Sequence, residues 1–241
     1  MIMIKKLSVA LLVGILCLRT GIAGAQDSSM EENLARLLPS NMQVEAIQET
    51  PMEGVFEVTA GNQVLYVYSV NEFLMIGDVY NTKERINLGE ERKNEQISEA
   101  MKSVPEEEMI VMGSDPERYV VVFTDTDCGY CQRFHQQVTE LNEKGLQVRY
   151  MMFPRAGLES DSYREAVSVW CADDQIQAMT IAKSGGRVAH AECKNPVADQ
   201  YALGQKIGIR GTPTMILDTG KVIPGYLPVE QLLGEAGISV N

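Results

Sequence analysis

In "DTDCGYCQRFHQQ", residues 125–137, Cys128 and Cys131 stand two residues apart at what reads as the start of a helix. A C-x-x-C pair can grip a metal, staple a fold or trade electrons as a dithiol. A closed zinc site needs four Cys or His ligands. Beyond the pair and Cys17 near the N-terminus, only Cys171, Cys193, His135 and His190 remain, and Cys171 and Cys193 form no second C-x-x-C. A structural Cys128–Cys131 bridge would close a very small loop and restrict the unfolded chain little. Redox chemistry is left. At the first turn of a helix, exposed N–H groups and the helix dipole favour a thiolate at Cys128, the species that attacks a disulfide sulfur. Cys131, one turn further in, can resolve the mixed disulfide. Gly129 leaves the approach open and Tyr130 offers a substrate an aromatic face. The second half of the pattern is Thr212-Pro213. A cis proline ahead of a buried strand would bring the Thr212 backbone beside the dithiol, where an extended substrate segment can pair with it.

These residues need a scaffold, and its texture is legible. "RYVVVFTD" and "LQVRYMMFP" are apolar, β-branched runs that read as buried strands. Between them a helix from Cys128 to about Gly145 carries Phe134, Val138 and Leu141 on one face. A helical stretch from Ser160 to about Lys183, a further helix over about 196–207, the strand–turn–strand "GTPTMILDTGKVIPGY" and a closing helix in "VEQLLGEAGI" follow. This α/β order, from Glu117 onward, is that of a thioredoxin-like domain with a helical insertion.

Upstream, Ser28–Glu32 offers capping boxes for a short helix carrying Leu34, Leu37 and Leu38, which Pro39 ends. Residues 55–80 alternate as a strand meander with turns at Gly61-Asn62 and Asn71-Glu72. So small an α+β unit buries little by itself, and the apolar run 73–76 would leave a sticky edge that a second copy of the chain could cover. Residues 91–104 read as a helix whose narrow stripe of Ile97, Ala100, Met101 and Val104 suits a connecting helix better than a core one.

The chain begins with Lys5-Lys6, an apolar run over 7–18 and the small-x-small Ala23-Gly24-Ala25, the layout of a secretory signal peptide over residues 1–25. The formal charge is −12, and loss of Lys5, Lys6 and Arg19 with the leader would make the chain more acidic still. Acidity of this degree without a basic stripe excludes a nucleic-acid binder. Of five cysteines, Cys17 would leave with the leader. The remaining four, in an oxidising compartment, suggest disulfides, with three pairings open.

The segments "FTDTDCGYCQRFH", "FPRAGLESDSYREAVSVWCADD", "YALGQKIGIRGTPT" and "VIPGYLP", with "GVFEVTAGNQVLYVYS" and "INLGEER" in the front part, resemble the DsbC/DsbG family of bacterial periplasmic protein disulfide isomerases. The resemblance implies a homodimer. Residues 26–88 would form a dimerisation domain, 89–108 a linker helix and 109–241 the thioredoxin-fold catalytic domain. It implies Cys128 as nucleophile, Cys131 as resolving thiol, Gly129, Tyr130, Thr212 and Pro213 as the substrate-facing surface, and Cys171 with Cys193 as a structural disulfide. It also implies misfolded, disulfide-containing secreted proteins as substrates, a DsbD-type membrane reductase as electron source, and neither metal nor cofactor. The family also suggests two other activities, reduction of sulfenylated cysteines and chaperone-like holding of unfolded chains.

Three departures stand out. Gln132 replaces the usual His after the second cysteine. Asp127 precedes Cys128, and its carboxylate is expected to disfavour the thiolate. Val122 occupies the position where thioredoxins carry a buried Asp as proton acceptor.

Overall fold

The computed structural model describes residues 32, 36, 38, 43–61, 63–69, 73–114, 116 and 118–239. The expected signal peptide, the turn at Asn71-Glu72 and, apart from isolated positions, the first expected helix lie outside them.

The alternation over 55–80 becomes β2 (Val55–Ala60), β3 (Gln63–Tyr68) and the short β4 (Phe73–Met75). They continue an antiparallel sheet of order β1-β2-β3-β4. β1 (Val44–Glu49) was not expected: "VEAIQE" is poor in strand-forming side chains. Its pairing with β2, through a bulge between Val44 and Ala46, supplies what its own composition does not. Val58, Ala60, Leu65 and Val67 form the small core, with Ile47, Phe56 and Leu74 packed on it. A two-stranded ribbon, β5 (Tyr80–Asn81) with β6 (Ile86–Asn87), leads into the first helix.

That helix, α1, spans Leu88–Lys102 and starts earlier than its apolar stripe indicates. The cause is Asn87, whose side chain accepts from the N–H groups of Gly89 and Glu90, with Glu90 and Glu91 in the first turn complementing the dipole. The first half of α1 is tied to the N-terminal sheet. Arg92 Nε donates to Glu57 Oε1 at 2.6 Å and Gln96 Nε2 to Thr59 Oγ1 at 3.2 Å. Its second half corrects the expectation of a purely connecting helix. Met101 is buried, and with Ile97, Ala100 and Val104 it packs on Val121, Phe123, Met151 and Ile216. The turn at Gly220 also lies against α1. Its φ of +86° suits glycine, and a Cβ there would overlap the Asn94 carbonyl oxygen.

The second sheet has the order β11-β10-β8-β9-β7. Its centre is the parallel pair β8 (Arg118–Thr124) and β9 (Leu146–Met152), with Val122 opposite Tyr150. β7 (Ile110–Met112) is an antiparallel edge strand beside β9, so the sheet begins before Glu117, where the sequence signal started. β10 (Thr214–Leu217) and β11 (Val222–Pro224) complete it. Alternation along β8 divides the core into two faces. Val120 and Val122 face one cluster, and Val121 and Phe123 face the cluster that receives α1.

Two helices expected to be continuous are each broken in two. α2 (Gly129–His135) and α3 (Val138–Glu143) are separated at Gln136-Gln137. Gln137 reaches sideways there, donating to the Leu227 carbonyl at 2.8 Å and accepting from Tyr226 at 3.1 Å. α4 (Asp161–Trp170) and α5 (Gln175–Lys183) are separated by the turn holding Cys171, and Asp174 caps α5 through the N–H of Gln177 at 2.9 Å. α6 (Val197–Lys206) and α7 (Val229–Glu235) finish the layer structure.

Candidate active site

β8 delivers the chain to Thr124 and Asp125 at the carboxyl end of the sheet, and the loop over 125–128 turns into α2. Asp125 governs that turn. Its carboxylate is buried, 3% exposed; Oδ1 accepts from the Asp127 N–H at 3.0 Å. Its Oδ2 accepts from Arg155, from the backbone N–H at 2.9 Å and from Nε at 3.0 Å. Arg155 Nη2 closes the clamp on the Asp127 carbonyl at 3.0 Å. A buried carboxylate is tolerated because each oxygen is hydrogen-bonded and a guanidinium stands against it.

Cys128 is the N-cap residue of α2 (φ −116°, ψ 114°), and its carbonyl accepts from the Gln132 N–H at 3.0 Å. The Thr212–Pro213 peptide bond is cis. The Cys128 thiol donates to the Thr212 carbonyl oxygen at 3.2 Å. The structure thus brings Cys128, Cys131, Thr212 and Pro213 into one place. Gly129 is exposed, with open space where a Cβ would stand, and Tyr130 projects outward at 63% exposure. Cys171 and Cys193, 22 residues apart in sequence, are bonded to each other with a Cα–Cα separation of 5.7 Å, while Cys128 and Cys131 are free thiols.

Cys128 is only 4% exposed, against 0% for Cys131, and the loop before β10 roofs it. The Cys128 thiol lies below the ordinary value, and Asp127 is not among the main groups that move it. Burial pushes it up, but the Thr212 side chain, the Cys131 N–H and thiol and the Arg155 cation together outweigh burial. Asp127 itself is exposed and enters the site through its backbone.

Cys131 behaves oppositely. Burial pushes its thiol up, against the pull of the Lys183 cation, the Asp125 N–H and the hydroxyls of Thr124 and Thr212. The pair therefore divides into an acidic outer thiol and a protonated inner one, which is the division that attack and resolution require. Thr212 Oγ1 is buried without a hydrogen-bond partner among the described residues, free to donate to a sulfur anion.

Sequence reading passed over Arg155, Asp125 and Lys183. Nothing local in "FPRAG" indicates that Arg155 folds back onto the 125–128 turn, since that contact spans 30 residues. His135, left without a role, bonds Tyr150 Oη at 2.9 Å and Thr180 Oγ1 at 3.2 Å. Burial, aided by Lys183, lowers it to about 4, so it is a neutral structural group.

The thioredoxin-like domain family model matches residues 105–236, and that of the disulfide bond isomerase protein N-terminal domain matches residues 21–90. The thiol:disulfide interchange protein DsbC of Escherichia coli (strain K12) is 34% identical over 214 residues, covering 88% of each chain. That of Salmonella typhimurium is 36% identical over 210 residues, 86% of this chain and 85% of its own. Among solved structures, a disulfide interchange protein from Neisseria gonorrhoeae superposes with a TM-score of 0.50 at 29% identity. All of that chain matches 56% of this one.

Proposed function

The chain belongs to the DsbC family of thiol:disulfide interchange proteins, and on that premise we propose that it rearranges incorrect disulfides of secreted proteins in the periplasm as a homodimer. Cys128 is the attacking thiolate and Cys131 the resolving thiol; Gly129, Tyr130, Thr212 and Pro213 meet the substrate. Residues 1–25 are removed on export, 26–88 join two copies, 89–108 link, and 109–241 carry the chemistry.

The observation that carries this reading is the pairing of an acidic helix-capping thiol with the Thr212 carbonyl 3.2 Å away. The Cys128 thiolate attacks one sulfur of a substrate disulfide. That S–S bond breaks, a Cys128–substrate disulfide forms, and the other substrate sulfur leaves with the electron pair. The freed thiolate attacks a different disulfide within the substrate. A substrate thiolate finally attacks the mixed disulfide and returns Cys128 as thiolate, with no net gain or loss of electrons. If Cys131 attacks first, a Cys128–Cys131 disulfide forms and the substrate departs reduced. Two electrons from a reductase of the DsbD type then restore the dithiol.

A second copy is supported by the N-terminal sheet. β4 ends an order in which its outer edge is unpaired among the described residues, and Phe73, Ile76 and Tyr80 are 62%, 76% and 62% exposed. Large apolar side chains beside an open edge invite strand or face pairing.

Cys131→Ala tests the role assignment. Mixed with a denatured, disulfide-containing secreted protein, it should accumulate a covalent complex on non-reducing gels, linked through Cys128 by peptide mapping. Linkage through any other residue would overturn the assignment.

A further inference from the structure

Lys183, the last residue of α5, is 3% exposed, yet it approaches no buried carboxylate within salt-bridge distance among the described residues. Its Nζ donates to Thr124 Oγ1 at 2.7 Å and to the Asp125 carbonyl at 2.8 Å, which leaves one N–H of an ammonium without an acceptor among the described residues. The same two residues face the sulfur of Cys131, Thr124 through its hydroxyl and Asp125 through its N–H. Lys183 and Cys131, both buried, therefore lie among the same two neighbours beneath the dithiol. An ammonium is costly in such a place unless it serves something.

We propose that the Lys183 amine is the proton acceptor for Cys131 when Cys131 resolves a mixed disulfide. This rests on the roles proposed above for Cys128 and Cys131. It supplies the function that Val122 cannot, because Val122 has no group to take a proton and faces the apolar core. In the step, the Cys131 S–H bond breaks and its proton passes to Nζ, giving an ammonium. The Cys131 thiolate forms a bond to Cys128 Sγ, the Cys128–substrate S–S bond breaks, and the substrate sulfur leaves with the electron pair. The Cys128–Cys131 disulfide is the oxidised product and the substrate thiol the reduced one. The ammonium later releases its proton to solvent.

The surroundings fit such a base. Burial lowers Lys183 to about 8, against the opposing pulls of Cys131, Asp125, Cys128 and Glu165. An acceptor titrating near the working pH is the effective kind. From α2, His135 faces Lys183 as a neutral ring. From β9, Tyr150 stays protonated, pushed up by burial and then by Cys131. Arg155 faces Cys128 and Cys131 from the loop after β9. When Cys128 becomes a mixed disulfide, its negative charge disappears. One of the groups holding the proton on Lys183 is then lost, and the free amine becomes more available at the moment Cys131 must be deprotonated.

The test is stopped-flow reaction of the reduced full-length protein with 5,5′-dithiobis(2-nitrobenzoate). Attack by Cys128 releases a first thionitrobenzoate and attack by Cys131 a second. Lys183→Met should slow the second release by about a hundredfold, the lower end of the span typical of lost acid–base assistance, and leave the first within about twofold. In the wild-type protein the second release should rise with pH through about 8, and the variant should lose that limb. A second phase unchanged in rate and pH profile overturns the inference. A wild-type protein without two phases overturns the roles beneath it. Should Lys183→Met not fold, the Lys183 amine can be titrated by NMR in the reduced wild-type protein and in Cys131→Ala. The titration should move lower in Cys131→Ala, and an unmoved midpoint overturns the inference equally.

Discussion

The thiol of Cys128 donates to the carbonyl oxygen of Thr212 across 3.2 Å, joining positions 84 residues apart in sequence. The contact makes the loop before β10 both the roof of the thiol and a polar neighbour of it. Tyr130, two residues on from Cys128, projects outward at 63% exposure.

Arg155 is expected to favour the Cys128 thiolate, because its cation pulls against the burial that pushes the thiol up. Arg155→Gln should shift the pH midpoint of Cys128 alkylation upward and slow alkylation severalfold below that midpoint; Arg155→Lys should recover part of the loss. An unmoved midpoint in Arg155→Gln would remove Arg155 from the account.

The same acidity predicts a pH-dependent stability. A thiol whose folded pKa lies below its unfolded value adds stability that is present above the unfolded value and is lost as pH falls through the folded one. Cys128 is such a group. Reduced wild-type protein should therefore gain on Cys128→Ser as pH rises toward 9, in urea unfolding followed by circular dichroism, and the gap should close in acid. A gap independent of pH would contradict a depressed Cys128.

The Cys171–Cys193 bond closes a loop of 22 residues between α4 and α6. In the chain-entropy description a loop of this size contributes about 3 kcal/mol. Cys171→Ala with Cys193→Ala should lower the unfolding free energy by that order and leave the rate of simple disulfide exchange within about twofold. Loss of exchange in a folded double variant would mean that this bond, too, takes part in the chemistry.

Ile76, 76% exposed beyond the end of β4, reports on the association of two copies. Ile76→Lys should halve the mass measured by light scattering and reduce disulfide rearrangement while sparing simple exchange. A monomeric wild-type protein would remove the dimer, and a variant still dimeric would move the interface elsewhere.

Much of this arrangement was written locally in the chain. The buried strands around "RYVVVFTD" and "LQVRYMMFP" carry continuous apolar runs, and the C-x-x-C with Thr212-Pro213 marks the site in four residues. What escaped depends on distance. β1 becomes a strand through pairing with β2, and the break between α2 and α3 comes from Gln137 meeting Leu227, 90 residues away. The Asp125–Arg155 clamp and Lys183 lie in ordinary helix and loop sequence, and only the fold turns them toward the sulfurs. The expected leader and, apart from isolated positions, the first expected helix lie outside the described residues.

In the proposed mechanism Cys128 rearranges disulfides and Cys131 only ends the encounter. Recovery of activity by a scrambled, multi-disulfide substrate in the presence of the full-length protein tests this most directly. The wild-type protein should restore native pairing, Cys128→Ala should match the uncatalysed rate, and Cys131→Ala should still rearrange pairs while accumulating mixed disulfides. Full recovery with Cys128→Ala, or a wild-type protein that reduces the substrate without restoring native pairs, would contradict the account.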